Sequence, residues 1–381
     1  MDQIYLDNAS TTYPKPPCVS QAVGNFISGC GMNIGRGAYR SALQAGEMVY
    51  ETRELLCRLF HFSVCKNVIF TPNVTTSLNF IIKGLLRPND HVLVSSMEHN
   101  AVMRPLTQMQ KKGVSFTRIP CTQEGELILS DLEKLIQPET KAVILTHGSN
   151  VCGTMMPLKE MGIFCRKHHL FFIVDCAQTA GVFPINMEEF FIDALCFTGH
   201  KGLFGPQGTG GFLIREELLP FMEPLISGGT GSFSHTEEVP QMMPDRFEAG
   251  TLNLPGLAGL HASLNFLLET GINQIREHEL ALTSQFLCEI APLEHVRIAG
   301  KKNVENRTGV VSVQMQNMDN AIAAWRLEQE YGILTRTGLH CAPSAHKTLR
   351  TFPEGTIRFS FGYFNTPQEV HKAAMALGNL R

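Results

Sequence analysis

The sequence lacks the features that direct a chain to a membrane or to nucleic acid. None of its 381 residues falls in an apolar run long enough to span a bilayer, and the amino terminus has no basic region followed by an apolar stretch. The formal net charge of −3 leaves no basic excess, and no Lys- and Arg-rich segment is interleaved with aromatic residues. We therefore expect no membrane and no nucleic acid among the partners, and a cytoplasmic location.

The chain also lacks a cysteine framework. Its eleven cysteines are scattered, with no CxxC pair and no cluster of His and Cys. This pattern is typical of neither a disulfide scaffold nor a zinc site, and the odd count favours reduced thiols. We expect no bound metal and at least one reactive cysteine.

What the sequence does contain is an alternation of short β-rich runs with helix-patterned segments. Six runs are predicted strands, at residues 68–71, 91–96, 114–119, 141–147, 170–175 and 193–198, and four segments are predicted helices, at 75–86, 101–112, 129–136 and 159–168. Such alternation predicts a parallel sheet with crossover helices. Ligands of open sheets of this kind bind at the carboxyl ends of the strands.

The pattern changes after residue 255. Long helical segments at 256–269 and 273–290 are followed by strand patterns in TGVVSVQM and TIRFSFGY and by a final helix from residue 367. A chain of this length accommodates one large domain and one smaller domain. We predict a large domain at 1–256 and a smaller α+β domain at 257–381.

Two residues at predicted strand ends indicate a cofactor. Asp175 ends the run LFFIVD, and Lys201 follows the next strand in FTGHKGLFGPQGTGG. A lysine amine can condense with the aldehyde of pyridoxal 5'-phosphate (PLP), and a buried carboxylate can hold the pyridine nitrogen protonated. A single Lys or Asp is more often an ordinary loop residue or cap, so the prediction depends on the surrounding motifs.

Those motifs carry a family resemblance. The segments YLDNASTT, SSMEHNA, THGSNVCGT, VDCAQTAG, FTGHKGLFGPQGTGG, RFEAGTLN, RTGLHCAP and TIRFSFGYFNT resemble, in the same order, those of the cysteine desulfurase and selenocysteine lyase family of the class V aminotransferase fold. The resemblance spans nearly the whole chain. It implies a PLP-dependent fold type I homodimer, in which a mostly parallel α/β sheet is flanked by helices.

The resemblance also implies a set of cofactor-binding residues. Lys201 would carry the cofactor, Asp175 would face the pyridine nitrogen, and His99 would stack on the ring and shuttle protons. The helix start after TPN offers amides near Val74 and the Thr75 hydroxyl to a phosphate, although taken alone Thr75 would be an ordinary cap. The remaining cofactor contacts implied are Thr198 and His200 to the phosphate, Asn150 and Gln178 to the phenolic oxygen, and Thr251 to the phosphate in the partner subunit. Alternatively, Thr251 would cap the helix that begins near residue 255.

The substrate side is predicted from four further positions and one cysteine. Arg358 resembles the arginine that binds the substrate α-carboxylate, since a planar guanidinium suits that group. Asn8 and Ala9 resemble a segment that lines the pocket, and Arg336 would position the cysteine loop or contact a carboxylate. Cys341 in RTGLHCAP is the predicted nucleophile, on a loop that is short because the next predicted strand follows APSAHKTLR closely.

The expected activity is removal of sulfur from L-cysteine. Cys341 would attack the substrate sulfur, leaving alanine and an enzyme persulfide. The outer sulfur of that persulfide would then pass to an acceptor protein or thiol. Selenocysteine lyase is the nearest alternative, because the same residues would act on L-selenocysteine. An aminotransferase, which has no use for Cys341, and a sulfur-carrier scaffold that docks partners also remain open from the sequence.

Overall fold

The computed structural model describes residues 3–34, 37, 39–316 and 318–380. Its strands are β1 Ile4–Tyr5, β2 Val68–Thr71, β3 His91–Ser95, β4 Ser115–Ile119, β5 Thr140–Thr146, β6 Phe171–Asp175, β7 Ala194–Thr198, β8 Gly210–Ile214, β9 Val296–Ala299, β10 Val310–Met315, β11 Ile333–Leu334, β12 Arg336–Gly338 and β13 Thr356–Ser360. Its α-helices are α1 Pro17–Asn25, α2 Arg40–Phe60, α3 Val74–Leu85, α4 Asn100–Gln110, α5 Leu158–Lys167, α6 Leu254–Thr270, α7 Ile272–Ile290, α8 Asn320–Tyr331, α9 Pro343–Thr348 and α10 Pro367–Asn379.

A seven-stranded sheet forms the centre of the fold. Its strand order is β2-β8-β7-β6-β5-β3-β4, and only β8 runs antiparallel to its neighbours. Alternate residues of β5 face opposite cores, with Val143 and Leu145 on one face and Ala142 and Ile144 on the other. Because both faces are covered, the central strands are apolar throughout, as parallel sheets require. The predicted α/β fold with a mostly parallel sheet flanked by helices is therefore confirmed.

The carboxyl ends of β3, β5, β6 and β7 lie next to one another along this sheet. Asp175 is the last residue of β6 and Thr198 is the last residue of β7. The register pairs Thr146 at the end of β5 with Asp175. The predicted strand ends therefore form one edge of the sheet, where ligands of such folds bind.

All six predicted strands are present, and three of the four helices predicted between them are present with shifted ends. The helix predicted at 129–136 is wrong: the structure has only a 3₁₀ turn, Leu132–Leu135. A segment this short cannot offset the cost of helix nucleation, and Gln137 precedes a proline, which disfavours the helical conformation. Helix α2 and strand β8 were not predicted from the sequence.

A second sheet has the antiparallel order β12-β13-β10-β9. It packs with α7, α8 and α10 around a separate core that includes Phe286, Val311 and Phe359. The amino-terminal residues join this core, because β1 pairs in parallel with β11 and Leu6 is buried there. The first residues of the chain therefore lie against the last third of it.

Helix α6 bears on the predicted domain boundary. Its buried residues Leu257, Leu260 and Leu264 belong to the core of the large sheet, whereas the first residue after α6 that belongs to the second core is Leu282 on α7. The predicted boundary between residues 256 and 257 falls inside α6. The packing of α6 favours a later boundary, and the division into two domains stays a prediction.

The described part of the chain contains no helix that is long and apolar enough to cross a membrane. Within the same residues, no group of three or more His, Cys, Asp or Glu side chains is arranged to hold a metal ion. All eleven cysteines lie in this part and are free thiols, of which Cys288 and Cys341 are the exposed ones.

Candidate active site

Asp175 and Lys201 occupy the carboxyl edge of the large sheet. Asp175 is buried, and its Oδ1 accepts a hydrogen bond from the Ala177 amide at 2.9 Å. Burial raises the pKa of Asp175, while the Ala177 amide and Lys201 act in the opposite direction. The pKa of Lys201 is lowered to about 8, chiefly by burial and next by the charge of Arg358, while the charge of Asp175 acts in the opposite direction. The structure thus brings the predicted lysine and carboxylate into one site.

His99 lies between β3 and α4 and caps that helix with its own ring. Its Nδ1 accepts a hydrogen bond from the Ala101 amide at 3.0 Å, so a neutral ring carries its proton on Nε2. Burial, then the charge of Lys201, lowers the pKa of His99 to about 4. At neutral pH the imidazole is therefore uncharged.

Two buried polar atoms at the end of β7 indicate where a phosphate would be held. Thr198 Oγ1 and His200 Nδ1 have no hydrogen-bond partner within the described residues. Buried hydroxyl and imidazole groups are normally paired, so unpaired ones require an explanation. An oxygen-rich anion beside Lys201 would satisfy both atoms. The residues present therefore fit PLP at this edge.

Helix α3 begins at the same edge of the sheet. It packs against β7 and β8, and a side chain at Gly210 would collide with the backbone of Asn73. The cap of α3 is Asn73, whose Oδ1 accepts from the Thr76 amide at 2.9 Å, so Thr75 is not the cap. Thr75 is exposed at the first turn with Val74 beside it, which leaves the turn open to a phosphate.

Thr251 is exposed and lines a cavity of about 400 Å³ together with Thr71, Thr76 and Phe247. The cap of α6 is Asn253, whose Oδ1 accepts from the Gly256 amide at 3.1 Å. The alternative role of Thr251 as a helix cap is therefore wrong. Its predicted contact with a cofactor in a partner subunit remains a prediction.

The loop that carries Cys341 is tied to the sheet edge through its backbone. The Asn100 amide donates to the Cys341 carbonyl at 2.7 Å, and Asn150 Nδ2 donates to the His340 carbonyl at 2.7 Å. His340 and Cys341 both adopt positive φ, at 45° and 57°, a conformation that costs energy in non-glycine residues. Helix α9 begins two residues later, at Pro343, so the loop is short.

Arg358 is buried beneath this loop and is bound by several partners. Its Nη2 contacts Asp7 Oδ1 at 2.7 Å and Ser10 Oγ at 2.7 Å. Its Nη1 donates to the Asn150 carbonyl at 3.1 Å. Arg336 is exposed on the neighbouring strand and also donates to Ser10 Oγ. The two predicted substrate arginines therefore meet at one serine.

The amino-terminal segment covers the remaining side of the site. Asn8 is buried, and its Nδ2 donates a hydrogen bond to the Ser360 carbonyl at 3.0 Å. The Ala9 carbonyl accepts from Gln178 Nε2 at 3.0 Å, which holds the Gln178 amide at the site. Within the described residues, no hydrogen bond joins Thr251 to the other predicted site residues.

Sequence reasoning missed several residues of this segment. The His200 carbonyl, which precedes Lys201, accepts from the Thr12 amide, the Thr11 hydroxyl and Lys15 Nζ. Burial lowers the pKa of Lys15 to about 8. The motif YLDNASTT contained Asp7 and Ser10, yet no local pattern reveals contacts to residues hundreds of positions away.

The fold and the strand-end site agree with a comparison to a known family. The model of the class V aminotransferases matches residues 4–372. Because this match covers nearly the whole chain, the protein belongs to the class V aminotransferase family, whose members depend on PLP.

Within this family the chain is similar to cysteine desulfurases. It is 32% identical over 373 residues to a probable cysteine desulfurase of Methanothermobacter thermautotrophicus, covering 97% of this chain and 92% of that protein. A probable cysteine desulfurase of Pyrococcus abyssi is 32% identical, with 96% and 91% covered. The solved apo structure of a cysteine desulfurase from Thermococcus onnurineus superposes with a TM-score of 0.93 at 31% identity, over 99% of this chain and 94% of that one.

Proposed function

We propose that this protein is a PLP-dependent cysteine desulfurase, which converts L-cysteine to L-alanine and keeps the sulfur as a persulfide on Cys341. The observation that carries the proposal is the bond from the Asn100 amide to the Cys341 carbonyl. Asn100 follows His99 directly, so an exposed thiol is anchored beside the Lys201 edge. The similarity to probable cysteine desulfurases along nearly the whole chain supports the same activity.

We assign the cofactor to the sheet edge. Lys201 would bind PLP, Asp175 would pair with the pyridine nitrogen, and His99 would contact the ring. The phosphate is assigned to Thr198, His200, Thr75 and the amide of Val74, with Asn150 and Gln178 at the phenolic oxygen. When bound, PLP supplies an electron sink for the substrate α-carbon.

Proton transfer is assigned to Lys201 and His99. With a pKa lowered to about 8, a measurable share of Lys201 is a neutral amine near pH 7 and can accept a proton. His99 is neutral, and its Nε2 carries a proton because Nδ1 accepts from Ala101. A proton acceptor, Lys201, and a proton donor, His99, are thus present at the same edge of the sheet.

The sulfur-transfer step balances without an external oxidant or reductant. The Cys341 thiolate attacks the substrate sulfur, an S–S bond forms, and the carbon–sulfur bond of the substrate breaks with its electron pair staying on carbon. A proton then reaches that carbon, and His99 Nε2 and Lys201 are the groups placed to deliver it. One cysteine and one enzyme thiol thereby yield one alanine and one persulfide.

Two cysteine variants test this proposal. The PLP-loaded parent, Cys341→Ala and Cys288→Ala are incubated with L-cysteine and dithiothreitol, and alanine and sulfide are quantified. Cys288 is the matched control because it is the other exposed cysteine. We expect Cys341→Ala to lose at least about a thousandfold in rate, Cys288→Ala to match the parent, and mass spectrometry to locate a persulfide on Cys341. Unchanged alanine production by Cys341→Ala would refute the assignment.

The same assay is run in parallel with L-selenocysteine. Selenium leaves with less nucleophilic help, so activity on selenocysteine that survives in Cys341→Ala is compatible with the proposal. Turnover of selenocysteine without turnover of cysteine by the parent would instead identify a selenocysteine lyase. Transfer of the amino group to a keto acid would identify an aminotransferase.

The proposal includes a homodimer. Large apolar side chains are exposed before and within α2, such as Tyr39, Leu43 and Tyr50, and again at Ile226 and Phe233. Patches of this kind on a soluble protein indicate a protein partner, and a C2 dimer would cover them reciprocally. In that dimer Thr251 is assigned to the phosphate bound by the partner subunit.

The persulfide on Cys341 requires an acceptor. The Cys341 side chain is exposed, so an acceptor thiol on a small molecule or protein reaches it for exchange. We also propose a cytoplasmic location, because eleven free thiols are suited to a reducing compartment.

A further inference from the structure

The backbone carbonyl of His200 accepts more hydrogen bonds than a carbonyl oxygen usually does. Lys15 Nζ donates to it at 2.6 Å, the Thr11 hydroxyl at 3.1 Å and the Thr12 amide at 3.1 Å. A carbonyl oxygen has two lone pairs, so three donors exceed its usual number. Three donors from one short segment therefore hold a single peptide bond, the one that joins His200 to Lys201.

These donors are far from Lys201 in the sequence. Thr11 is separated from His200 by 189 positions and Lys15 by 185. The carbonyl of Lys201 itself instead accepts from the nearby Phe204 amide at 2.8 Å. The Lys201 side chain leaves the backbone between these two planar peptide units. Its direction therefore depends on a local turn on one side and on the amino-terminal segment on the other.

Lys15 is the donor of this group that carries a charge. It is half-buried, and burial lowers its pKa to about 8. The amine is mostly charged at neutral pH, yet the ion pairs among the described residues give it no carboxylate. Burying a charge without an opposite charge is unfavourable. The short, charge-assisted bond to the His200 carbonyl therefore explains the position of the amine, since no ion pair does.

The position of Lys15 offers two roles near the cofactor site. As a charge, Lys15 would attract the phosphate, because Thr198 Oγ1 and His200 Nδ1 are buried and unpaired at the same edge. As a donor, it would hold the backbone that carries Lys201. The contacts favour the second role, because the amine is bound to the backbone oxygen. Its charge also ranks behind burial and Lys201 among the causes that lower the pKa of His200.

We propose that Lys15 is a positioning residue for Lys201, because its amine holds the His200–Lys201 peptide bond and so directs the Lys201 amine toward the aldehyde of the cofactor. This inference rests on the proposed function, which assigns PLP to Lys201. Lys15 acts through the backbone and does not contact the cofactor. In the condensation the Lys201 nitrogen bonds to the aldehyde carbon and one water leaves, so neither an oxidant nor a reductant is needed.

Two aldehydes that differ only in the phosphate separate the two roles. Cofactor-free parent, Lys15→Met, Lys15→Arg and Lys112→Met are each mixed with PLP and with pyridoxal, and the rate of C=N bond formation is followed by absorbance. Lys112→Met is the control, because Lys112 is exposed in the turn that follows α4. We expect Lys15→Met to react about tenfold more slowly with both aldehydes, and Lys112→Met to react within about twofold of the parent.

The conservative variant distinguishes positioning from a general loss of structure. Lys15→Arg retains a charged donor, so it should react faster than Lys15→Met with both aldehydes. A loss confined to PLP would assign Lys15 to the phosphate and overturn the inference, and so would a parent-like rate in Lys15→Met. If Lys15→Met does not fold, Thr11→Val is measured in the same way, with Thr11→Ser as its conservative variant. An equal loss for both aldehydes, reversed by serine, is then required.

Borohydride reduction and peptide mapping keep this inference separate from the proposed function. Parent protein labelled on Lys201, together with a parent-like rate in Lys15→Met, would overturn the inference alone. Absence of label from Lys201 in the parent would refute the assignment of PLP to that residue, and the inference with it. Label on Lys201 in every variant, with the slow rate confined to Lys15→Met, is the result expected.

Discussion

The cofactor side and the substrate side of the site are built in different ways. Asp175 and Thr198 end the neighbouring parallel strands β6 and β7, and Lys201 follows β7, so regular backbone geometry brings them together. On the substrate side, Arg358 contacts Asp7 across a sequence separation of 351 residues, and Cys341 lies on a short loop with positive φ. The cofactor side can therefore be predicted from short stretches of sequence. The substrate side forms only when the amino-terminal segment packs against the carboxyl-terminal part of the chain.

The largest expected effect tests the cofactor side. Lys201→Ala should lose at least about a thousandfold in activity, because the covalent partner of PLP is removed. In the parent, borohydride should fix the pyridoxyl group to Lys201, which peptide mapping would reveal. Lys15 is the informative competitor, since its pKa is also lowered to about 8. Label on Lys15 would contradict the assignment.

The second-largest expected effect tests whether the partner subunit contributes Thr251 to the cofactor site. If Thr251 contacts the phosphate in the other subunit, a heterodimer of Lys201→Ala and Thr251→Ala chains has one site with both defects and one site intact. Equal mixing should then restore about a quarter of parent activity, well above either variant alone. Absence of recovery after confirmed subunit exchange would count against the shared site.

A smaller effect concerns stability and pH in the cofactor-free protein. The pKa of Lys201 falls from 10.5 to about 8 on folding, so between these values the unfolded chain binds more protons and the free energy of unfolding rises with pH. Below pH 8 the folded protein bears the full cost of the buried charge, about 3 kcal/mol. Lys201→Met should therefore be more stable than the parent at pH 7, with the gap closing toward pH 10.5.

Urea unfolding at a series of pH values measures this gap. Lys112→Met is the control, because Lys112 is exposed in the turn that follows α4 and its replacement should leave the free energy of unfolding nearly unchanged. A gap between parent and Lys201→Met that does not vary with pH would contradict the predicted coupling.

The smallest effects compare one helix cap from each region. Asn73 caps α3 beside the cofactor side, and Asp319 caps α8 in the second core. Replacement of either by alanine should cost about 1 kcal/mol of unfolding free energy. Only Asn73→Ala should also weaken PLP binding, as measured by fluorescence titration. Equal PLP affinities in the two variants would remove α3 from the cofactor site.

Much of the cofactor side could be predicted because its signals are local. The runs ending at Asp175 and Thr198 are continuously apolar, and such runs predict strands buried on both faces. The motif around Lys201 follows the second of them directly. The helix prediction at 129–136 was wrong for a local reason as well. A short stretch before a proline does not sustain an α-helix, and only the 3₁₀ turn Leu132–Leu135 forms.

The sequence by itself determined the alternation that builds the parallel sheet, the residues at its carboxyl edge and the family to which the chain belongs. Only the tertiary structure decided that Ser10 joins Arg336 to Arg358, that Lys15 donates to the His200 carbonyl, and that Asn100 anchors Cys341. The physical reason is that strand periodicity is a property of neighbouring residues. A hydrogen bond between distant segments instead depends on how two cores and both ends of the chain pack together.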